Sequence, residues 1–493
     1  MKRICSLLLV AGLLANSCSL PPRRVGNFDA FPPYPGSEDL YIPTPMPGVF
    51  ESGFVKTSLM PESSFSVDAD GASYAIMRRS INEIGSACPP NLVRIEEYLN
   101  YFTFDYPEPA EGETLGINAE IGPCPWAPEH RLLRLGLKGK SLPENEIPAA
   151  NFILLVDVSG SMSGSDRIDL VKTGLCSMVD CLRPDDRIAI ITYSGKVKML
   201  LESTLVSEGR SAIKAAIRSL QASGTTNGGE AMKMAYEEAS AHYIEGGNNR
   251  IIMCTDGDFN VGVSSTSALV EMVQYYLKKG IYLSIMGFGV GNYQDGRMEA
   301  ISNKGNGTYT YIDSEREMIK VFVNERSHFW TVANDTKCQV RFNPETVESY
   351  RLIGYTNRII SGEEFKDEKK DAGEIGAGQT VTALYEVILN DIQVPEGGPA
   401  PTVATFETRY KQAIKNATSR SLQQDILWDA DGNPSENFYF AAGVATFAQL
   451  LAGSRFRGDS TVEMARELVN GARTYDPDGF RAELVQLMDK LLE

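Results

Sequence analysis

Histidine, basic patches and long apolar runs are all scarce in this sequence of 493 residues. It contains only 3 histidines and no cysteine pair with CxxC spacing, which argues against a zinc site, because zinc favours imidazole and thiolate ligands. The formal net charge is −17, and clusters of Lys and Arg are absent. Phosphate backbones bind such clusters, so nucleic acid is excluded as a partner.

The N-terminus has the form of a secretory signal peptide. Its apolar core, residues 4–14, follows two basic residues and is shorter than the roughly 20 residues that a membrane span takes. The segment Leu14-Ala15-Asn16-Ser17-Cys18 resembles the bacterial lipobox, whose cysteine becomes an acylated N-terminus. We therefore expect residues 1–17 to be removed and Cys18 to carry a lipid anchor at the cell envelope, periplasmic or at the outer membrane. Simple cleavage near Ser17 is the alternative.

Beyond the signal peptide, length and composition predict a tether followed by about three folded domains. Residues 18–61 are rich in proline and glycine and lack periodicity, which is typical of a tether. The patterns that follow place an N-terminal domain at 62–148, an α/β domain at 149–332 and a C-terminal domain at 333–493.

In the α/β domain, apolar strand patterns alternate with amphipathic helix patterns. Residues 152–156 form a continuous apolar run, as expected of a strand that is buried on both faces. Further strands are predicted at 187–193, 250–255, 281–288 and 309–312. Helices are predicted at about 167–182, 210–220, 229–242, 266–279 and 315–329. This alternation predicts a doubly wound parallel sheet of the Rossmann-like α/β class, with helices on both faces.

The flanks of this domain have a different character. The N-terminal flank predicts helices at 66–85 and 91–102 and strands at 116–122 and 131–138. The C-terminal flank predicts strands at 337–342, 348–355, 380–389 and 403–410, and then three helices from about 438, 462 and 479. Few strands precede the α/β domain and more follow it. We therefore expect both flanks to build one smaller β-rich domain with helices, into which the α/β domain is inserted.

Polar side chains follow three of the predicted strands and loops. Asp157, Ser159 and Ser161 come directly after strand 152–156 in one tight loop, and Asp256 follows strand 250–255. Thr226 lies in a glycine-rich loop before a helix. Ligands of open α/β sheets bind beyond the carboxyl ends of the strands, so these loops are expected to converge on one site. Any one of these residues alone could simply cap a helix.

All five candidate side chains offer hard oxygen donors, with no sulfur and no imidazole. Such donors select Mg²⁺, Mn²⁺ or Ca²⁺ over zinc or copper. Two carboxylates balance at most one divalent charge, because the three hydroxyls are neutral. The ligand set predicts a single hard divalent cation, with Mg²⁺ as the first choice.

Together, these residues resemble the metal-ion-dependent adhesion site of von Willebrand factor type A (VWA) domains. The resemblance rests on Asp157-x-Ser159-x-Ser161, on Thr226 rather than Thr225, and on Asp256 in Thr255-Asp256-Gly257, within about 180 residues of matching strand and helix order. It implies that the metal keeps an open position for a Glu or Asp of another protein. The implied role is adhesion or scaffolding through an acidic side chain of the partner, without catalysis.

The flanks also carry a resemblance, to bacterial YfbK-type proteins. In the N-terminal domain it rests on Val67-Asp68-Ala69-Asp70, Val93-Arg94-Ile95-Glu96-Glu97, Asn100-Tyr101-Phe102 and Pro125-Trp126. In the C-terminal domain it rests on Leu352-Ile353-Gly354-Tyr355 and Thr382-Ala383-Leu384-Tyr385-Glu386. The resemblance spans about 62–493 and implies that the N-terminal domain is of the type associated with VWA domains.

Two other functions stay open at this point. A metal-dependent hydrolase would need a base or nucleophile beside the metal, and neither Ser159 nor Ser161 has a histidine nearby in the sequence. A scaffold could instead fill its own metal site, for example with an acid from residues 363–374.

Cys88 and Cys124 form the one cysteine pair worth testing for a disulfide.

Overall fold

The computed structural model describes residues 51–67, 70–143, 145–224, 229–257, 266–289, 301–302, 305, 307–370, 372–392, 398–413, 417–429 and 432–493. The predicted signal peptide, the lipidation candidate Cys18 and the predicted metal ligand Thr226 lie outside these residues.

The described part of the chain alternates between strand-rich and helix-rich segments. Its strands are β1 Val55–Lys56, β2 Glu62–Ser66, β3 Leu115–Pro123, β4 Arg131–Gly139, β5 Ala150–Asp157, β6 Arg187–Tyr193, β7 Val197–Leu205, β8 Asn248–Thr255, β9 Ile281–Phe288, β10 Tyr309–Ile312, β11 Thr331–Phe342, β12 Val347–Ile353, β13 Ile359–Ile360, β14 Gly373–Gly376, β15 Thr380–Leu389, β16 Thr402–Gln412 and β17 Ser419–Leu427. Its α-helices are α1 Ala72–Ile84, α2 Ile95–Asn100, α3 Ile168–Cys181, α4 Val206–Arg218, α5 Gly229–Ala241, α6 Thr266–Leu277, α7 Glu315–Ile319, α8 Gly362–Lys366, α9 Glu436–Ala452, α10 Val462–Gly471 and α11 Phe480–Leu492.

The α/β domain contains a six-stranded sheet in the order β10-β9-β8-β5-β6-β7. Strand β5 lies between β8 and β6 and runs parallel to both, and β9 and β10 continue the parallel set. At the other edge, β7 runs antiparallel to β6. The sequence prediction missed β7, which makes the sheet mixed. Strand β7 is half-buried at an edge, so it has neither a continuous apolar run nor clear alternation.

Helices cover both faces of this sheet, which confirms the predicted doubly wound α/β class. Alternate residues of β5 point to opposite faces: Leu154 packs in one buried cluster and Leu155 in another. The first cluster includes Leu175 of α3 and Ile217 of α4, and the second includes Ala235 of α5. Burial on both faces explains why β5 has an uninterrupted apolar sequence.

The two flanks interleave in two further sheets. One has the order β1-β12-β15-β4-β3, and the other has the order β13-β2-β11-β16-β17 with β14 beside β11. Strand β4 precedes the α/β domain and β15 follows it, yet they pair antiparallel with Leu133 opposite Tyr385. The predicted insertion of the α/β domain between the flanks is therefore confirmed. The β-rich part is not the smaller one, since its sheets hold 5 and 6 strands against 6 in the α/β domain.

Several predicted bounds differ from the structure. The tether predicted at 18–61 ends earlier, because β1 pairs with β12 and the Thr57 backbone N–H donates to the carbonyl of Glu348 at 3.0 Å. The helix predicted from residue 66 starts at Ala72, because β2 occupies the preceding residues. Strand β1 has only two residues, which is too short to show a period in the sequence. Its pairing with β12, far along the chain, leaves no local pattern either.

The helix predicted at 315–329 is interrupted. Helix α7 passes into a π-helix, Lys320–Asn324, and then into a short 3-10 helix, Arg326–Phe329. None of the helices that the structure describes combines the length and apolar character needed to span a bilayer.

Cysteines in the described part of the chain are free thiols. Cys88 and Cys124, the pair considered for a disulfide, are each buried and unbridged. Cys88 instead contacts the hydroxyl of Tyr98, with 3.9 Å between sulfur and oxygen. The suggested pairing is therefore not formed, although both thiols belong to the same buried cluster.

Candidate functional site

Asp157 ends the central strand β5, and its side chain is completely buried. One carboxylate oxygen, Oδ1, accepts a hydrogen bond of 2.8 Å from the backbone N–H of Ser159. The other oxygen, Oδ2, is buried without a hydrogen-bond partner among the described residues. An unsatisfied buried carboxylate oxygen costs free energy, and a bound cation would remove that cost.

The hydroxyl oxygens of Ser159 and Ser161 lie 2.9 Å apart immediately after this strand. A single 3-10 turn, Gly160–Met162, follows Ser159 and brings the two side chains together. Ligands at neighbouring corners of an octahedral Mg²⁺ are about 3 Å apart, since each lies about 2.1 Å from the ion. The spacing of the two hydroxyls therefore fits one shared cation.

The loop that contains Thr226 begins next to the loop that contains Ser159 and Ser161. The backbone N–H of Gly160 donates to the carbonyl of Gly224 at 3.0 Å, and the N–H of Ser223 donates to the carbonyl of Val158 at 2.7 Å. Gly224 has a φ of 86°, a conformation that favours glycine. The loop that leads to Thr226 thus starts beside Ser159 and Ser161, while Thr226 itself lies outside the described residues.

Asp256 follows β8, the strand that neighbours β5. Val156 and Cys254 are paired in register, so the carboxyl ends of the two strands lie side by side. The turn after β8 is held by the hydroxyl oxygen of Thr255, which accepts a 3.2 Å hydrogen bond from the N–H of Gly257. Asp256 is half-buried and close enough to Asp157 for its charge to affect the latter's pKa.

Burial raises the pKa of Asp157 to about 6, and the neighbouring charge of Asp256 adds to this effect. The hydrogen bond from the Ser159 N–H acts in the opposite direction by stabilising the carboxylate. At neutral pH the ionised form of Asp157 therefore predominates, although its surroundings disfavour the charge. A buried negative charge beside a second carboxylate is an electrostatic setting that favours a cation.

Exposure increases across the candidate site. Asp157 and Ser159 are buried, Asp256 is half-buried and Ser161 is exposed. A cation held by these groups would be enclosed by protein on the side of β5. Its opposite side would face the surface, where a ligand from outside can approach.

Two features of the site escaped the sequence reasoning. Tyr193, the last residue of β6, pairs in register with Asp157, and burial together with the charge of Asp157 raises its pKa well above the ordinary value. Asp166, in the loop after Ser161, forms an ion pair with Arg79 of the N-terminal flank. The end position of Tyr193 in a predicted strand was an available signal, whereas no local pattern connects Arg79 with Asp166.

The histidines of the chain lie away from this site. His328 adjoins Phe329, whose carbonyl accepts hydrogen bonds from Asn248 and Arg250 at the amino end of β8. His130 contacts Glu386 in the β-rich part, and His242 lies beside Glu238 near the end of α5. No imidazole therefore lies beside Asp157 where it could act as a general base.

The acidic segment considered as an internal ligand is also elsewhere. Helix α8 packs beside β2 and β11, and Glu364 pairs with Lys370 within that segment. The charge of Glu374 acts on Arg250, near the amino end of β8, opposite the end that carries Asp256. The hypothesis that residues 363–374 fill the metal site is thus unsupported by their position. In the described part of the chain, no group of three or more His, Cys, Asp or Glu side chains is placed to hold a metal ion.

Three family models match successive parts of the chain. Residues 47–134 match a model described as von Willebrand factor, and residues 151–325 match the von Willebrand factor type A domain. Residues 327–493 match the model described as "Uncharacterized protein YfbK, C-terminal". The protein named YfbK from Escherichia coli K12 is 36% identical over 450 residues, which cover 87% of this chain and 78% of that protein. This chain belongs to the YfbK family.

More distant relatives share the middle of this YfbK-family chain. The Synechocystis protein sll0103 is 30% identical over 192 residues, which cover 39% of this chain and 44% of that protein. Human inter-alpha-trypsin inhibitor heavy chain H3 is 27% identical over 264 residues, or 49% of this chain and 29% of that protein. The chain thus spans less than half the length of these two relatives.

Among solved structures, a von Willebrand factor type A protein from Catenulispora acidiphila is 15% identical with a TM-score of 0.42, covering 77% of this chain and 98% of that one. The family models and the observed topology together show a VWA domain within a YfbK-family protein. VWA domains typically mediate protein–protein interaction.

Proposed function

We propose that this protein is a divalent-metal-dependent protein-binding module of the bacterial cell envelope, and that it acts without catalysis. The observation that carries the proposal is the buried, unpartnered Oδ2 of Asp157 beside two hydroxyl oxygens only 2.9 Å apart. Without a cation the two hydroxyls hydrogen-bond to each other, whereas the carboxylate oxygen stays unsatisfied. A hard divalent ion would satisfy the carboxylate and use both hydroxyls as ligands.

In this proposal Asp157, Ser159, Ser161, Thr226 and Asp256 hold the ion, directly or through water. The donor set is entirely oxygen, which favours Mg²⁺ and admits Mn²⁺ or Ca²⁺. The ion supplies an electrophilic position that a carboxylate of another protein can occupy. Two aspartates balance one divalent charge, so an incoming Glu or Asp meets a site without net negative charge.

The envelope location rests on the sequence alone. The apolar core at 4–14 and the segment ending in Cys18 resemble those of an exported, lipid-anchored protein, and this resemblance supports the proposed location. A lipid on Cys18 would place the VWA domain at a membrane surface, with the proline-rich residues after it as a spacer. Radiolabelled palmitate incorporated by wild type but not by Cys18→Ala would support the anchor, and equal labelling would refute it.

Isothermal titration with Mg²⁺, Mn²⁺ and Ca²⁺ tests the metal site directly. Wild type is expected to bind one ion per chain, and Asp157→Ala is expected to lose the binding heat. Asp185→Ala is the matched control, because Asp185 is an exposed aspartate of the same domain that pairs only with Arg183 in the described structure. Equal heats from wild type and Asp157→Ala would refute the proposed site.

Partner binding follows as a second measurement. Proteins captured from an envelope extract by wild type, and lost both with EDTA and with Asp256→Ala, would be metal-dependent partners. A free acidic peptide should compete with them if the contact is a carboxylate. Metal-stimulated hydrolysis of phosphate or ester substrates that disappears in Asp157→Ala would instead identify an enzyme.

A further inference from the structure

Helix α1 of the N-terminal flank packs against the VWA domain beside β10. Its two consecutive arginines, Arg78 and Arg79, are both buried and each binds VWA residues. They contact different parts of that domain: Arg78 binds Asp313 and Glu317, and Arg79 binds Asp166.

Arg78 fixes the closing segment of the VWA domain. Its guanidinium group binds Asp313 at 2.5 Å and Glu317 at 2.7 Å, and it also reaches Glu483 of α11 at 3.2 Å. Helix α1, residues 313–317 and α11 therefore meet at one buried guanidinium group. This cluster holds α1 in place, which defines the position of the neighbouring Arg79.

Arg79 reaches the loop that carries the candidate metal ligands. Its Nη2 donates to Oδ2 of Asp166 at 2.9 Å, and its Nη1 donates to the hydroxyl of Tyr311 at 2.9 Å. The same Tyr311 hydroxyl donates to the carbonyl of Gly289, at the end of β9, at 2.7 Å. One flank residue thus connects two loops at the carboxyl edge of the VWA sheet.

The chain from Ser159 to Asp166 is short and mostly irregular. Besides the 3-10 turn that contains buried Met162, it is held by the Asp157 contact and the Gly160–Gly224 hydrogen bond at one end. At the other end Asp166 pairs with Arg79 and with its neighbour Arg167. The side chains of Arg79 and Asp166 are 7% and 30% exposed, so water screens this ion pair less than a surface pair. Loss of the pair would leave Asp166 paired only with its neighbour Arg167, and the loop that positions Ser161 would lose its contact with the flank.

We propose that Arg79 is a positioning residue for the metal site, so that metal affinity depends on the docking of α1 against the VWA domain. The inference rests on the proposed function, since it concerns the same cation. Coupling between sites is reciprocal, so a bound ion would in turn strengthen the contact between flank and VWA domain. The flank then contributes to binding without touching the ion.

Metal titration of Arg79→Gln in the full chain tests this inference. We expect its dissociation constant for Mg²⁺ or Mn²⁺ to rise about tenfold, within the range found for coupled sites. Lys214→Gln is the control, because Lys214 pairs with Asp180 at 2.6 Å between two helices of the VWA domain and takes no part in the contacts of α1 described above. Its metal affinity should equal that of wild type.

Asp166→Asn provides a second variant with an intact flank, should Arg79→Gln fold poorly. It should weaken metal binding by a similar factor, and combining it with Arg79→Gln should cause little further loss, because both remove one interaction. A purely structural role would lower Tm equally with and without metal. A positioning role should reduce the rise in Tm that metal causes.

The outcomes separate the two proposals. If wild type binds no ion, the proposed function fails and the role of Arg79 fails with it. If wild type binds and Asp157→Ala does not, while Arg79→Gln and Asp166→Asn both bind as tightly as wild type, the metal site stands and the positioning role of Arg79 is overturned.

Discussion

Phe65 and Cys338 lie directly opposite each other in one antiparallel ladder, although the whole VWA domain separates them along the chain. Strand β2 therefore has no partner within its own flank: its neighbours are β11 and β13, both from the C-terminal flank. Although β3 and β4 of the same flank pair with each other, β2 depends on distant residues for its backbone hydrogen bonds, and this has a consequence for folding.

We predict that residues 51–148, expressed alone, will not form a folded unit. Strands β2 and β4 would expose unpaired edges and apolar side chains, which promotes aggregation. Circular dichroism and limited proteolysis of this fragment are the measurements, with the chain from residue 51 to 493 as the control. A soluble, protease-resistant fragment with a cooperative thermal transition would contradict the interleaved arrangement.

Asp157→Asn should stabilise the metal-free protein and abolish its response to metal. The substitution removes a buried negative charge whose pKa is raised to about 6, so its ionisation at pH 7.5 costs up to roughly 3 kcal/mol. We expect Tm in EDTA to rise by a few degrees and to stay there when Mg²⁺ is added. Asp185→Asn, at an exposed carboxylate, is the control. A lower Tm in EDTA would show that the carboxylate is stabilised by something other than a cation.

Native thiol labelling should distinguish buried from accessible cysteines. Burial raises the pKa values of Cys254 and Cys338 to about 12, so their thiolates are almost absent at pH 8. Cys176 and Cys181 of α3 are only half-buried. Peptide mass spectrometry after iodoacetamide treatment is expected to find the latter two modified first, and all of them modified once the protein is unfolded. Rapid native labelling of Cys254 would mean that the central sheet opens readily.

His328 should make stability fall at mildly acidic pH. Burial lowers its pKa in the folded protein, and Lys320 lowers it further, while Glu325 acts in the opposite direction. As pH decreases through the ordinary value of about 6.5, the unfolded chain binds a proton that the folded protein binds less readily, and stability is lost.

Thermal unfolding of wild type and His328→Gln at pH 8 and pH 5.5 measures this effect. Between pH 8 and pH 5.5, the Tm of wild type should fall more than the Tm of His328→Gln. His242→Gln serves as the control, because that side chain is 38% exposed. The same loss of Tm in wild type and His328→Gln would assign the acid sensitivity to other groups.

The central strands could be predicted because burial restricts which residues they can contain. A strand buried on both faces requires an apolar run, and Asp157 is recognisable because polar residues end that run abruptly. The strand at 380–389 was predicted with the bounds that the structure gives, since it too is buried over most of its length. Edge strands such as β7 and β17 lack this constraint, and both were missed.

Spacing alone indicated that Asp157, Ser159, Ser161 and Asp256 belong to one edge of a sheet, because parallel strands bring their carboxyl ends together. By itself, the sequence determined the α/β class, the position of the candidate site and the hard-oxygen chemistry of its donors. Only the tertiary structure decided that the flanks share two sheets and that Arg79 reaches Asp166. Such contacts depend on the relative placement of distant segments, which no local periodicity encodes.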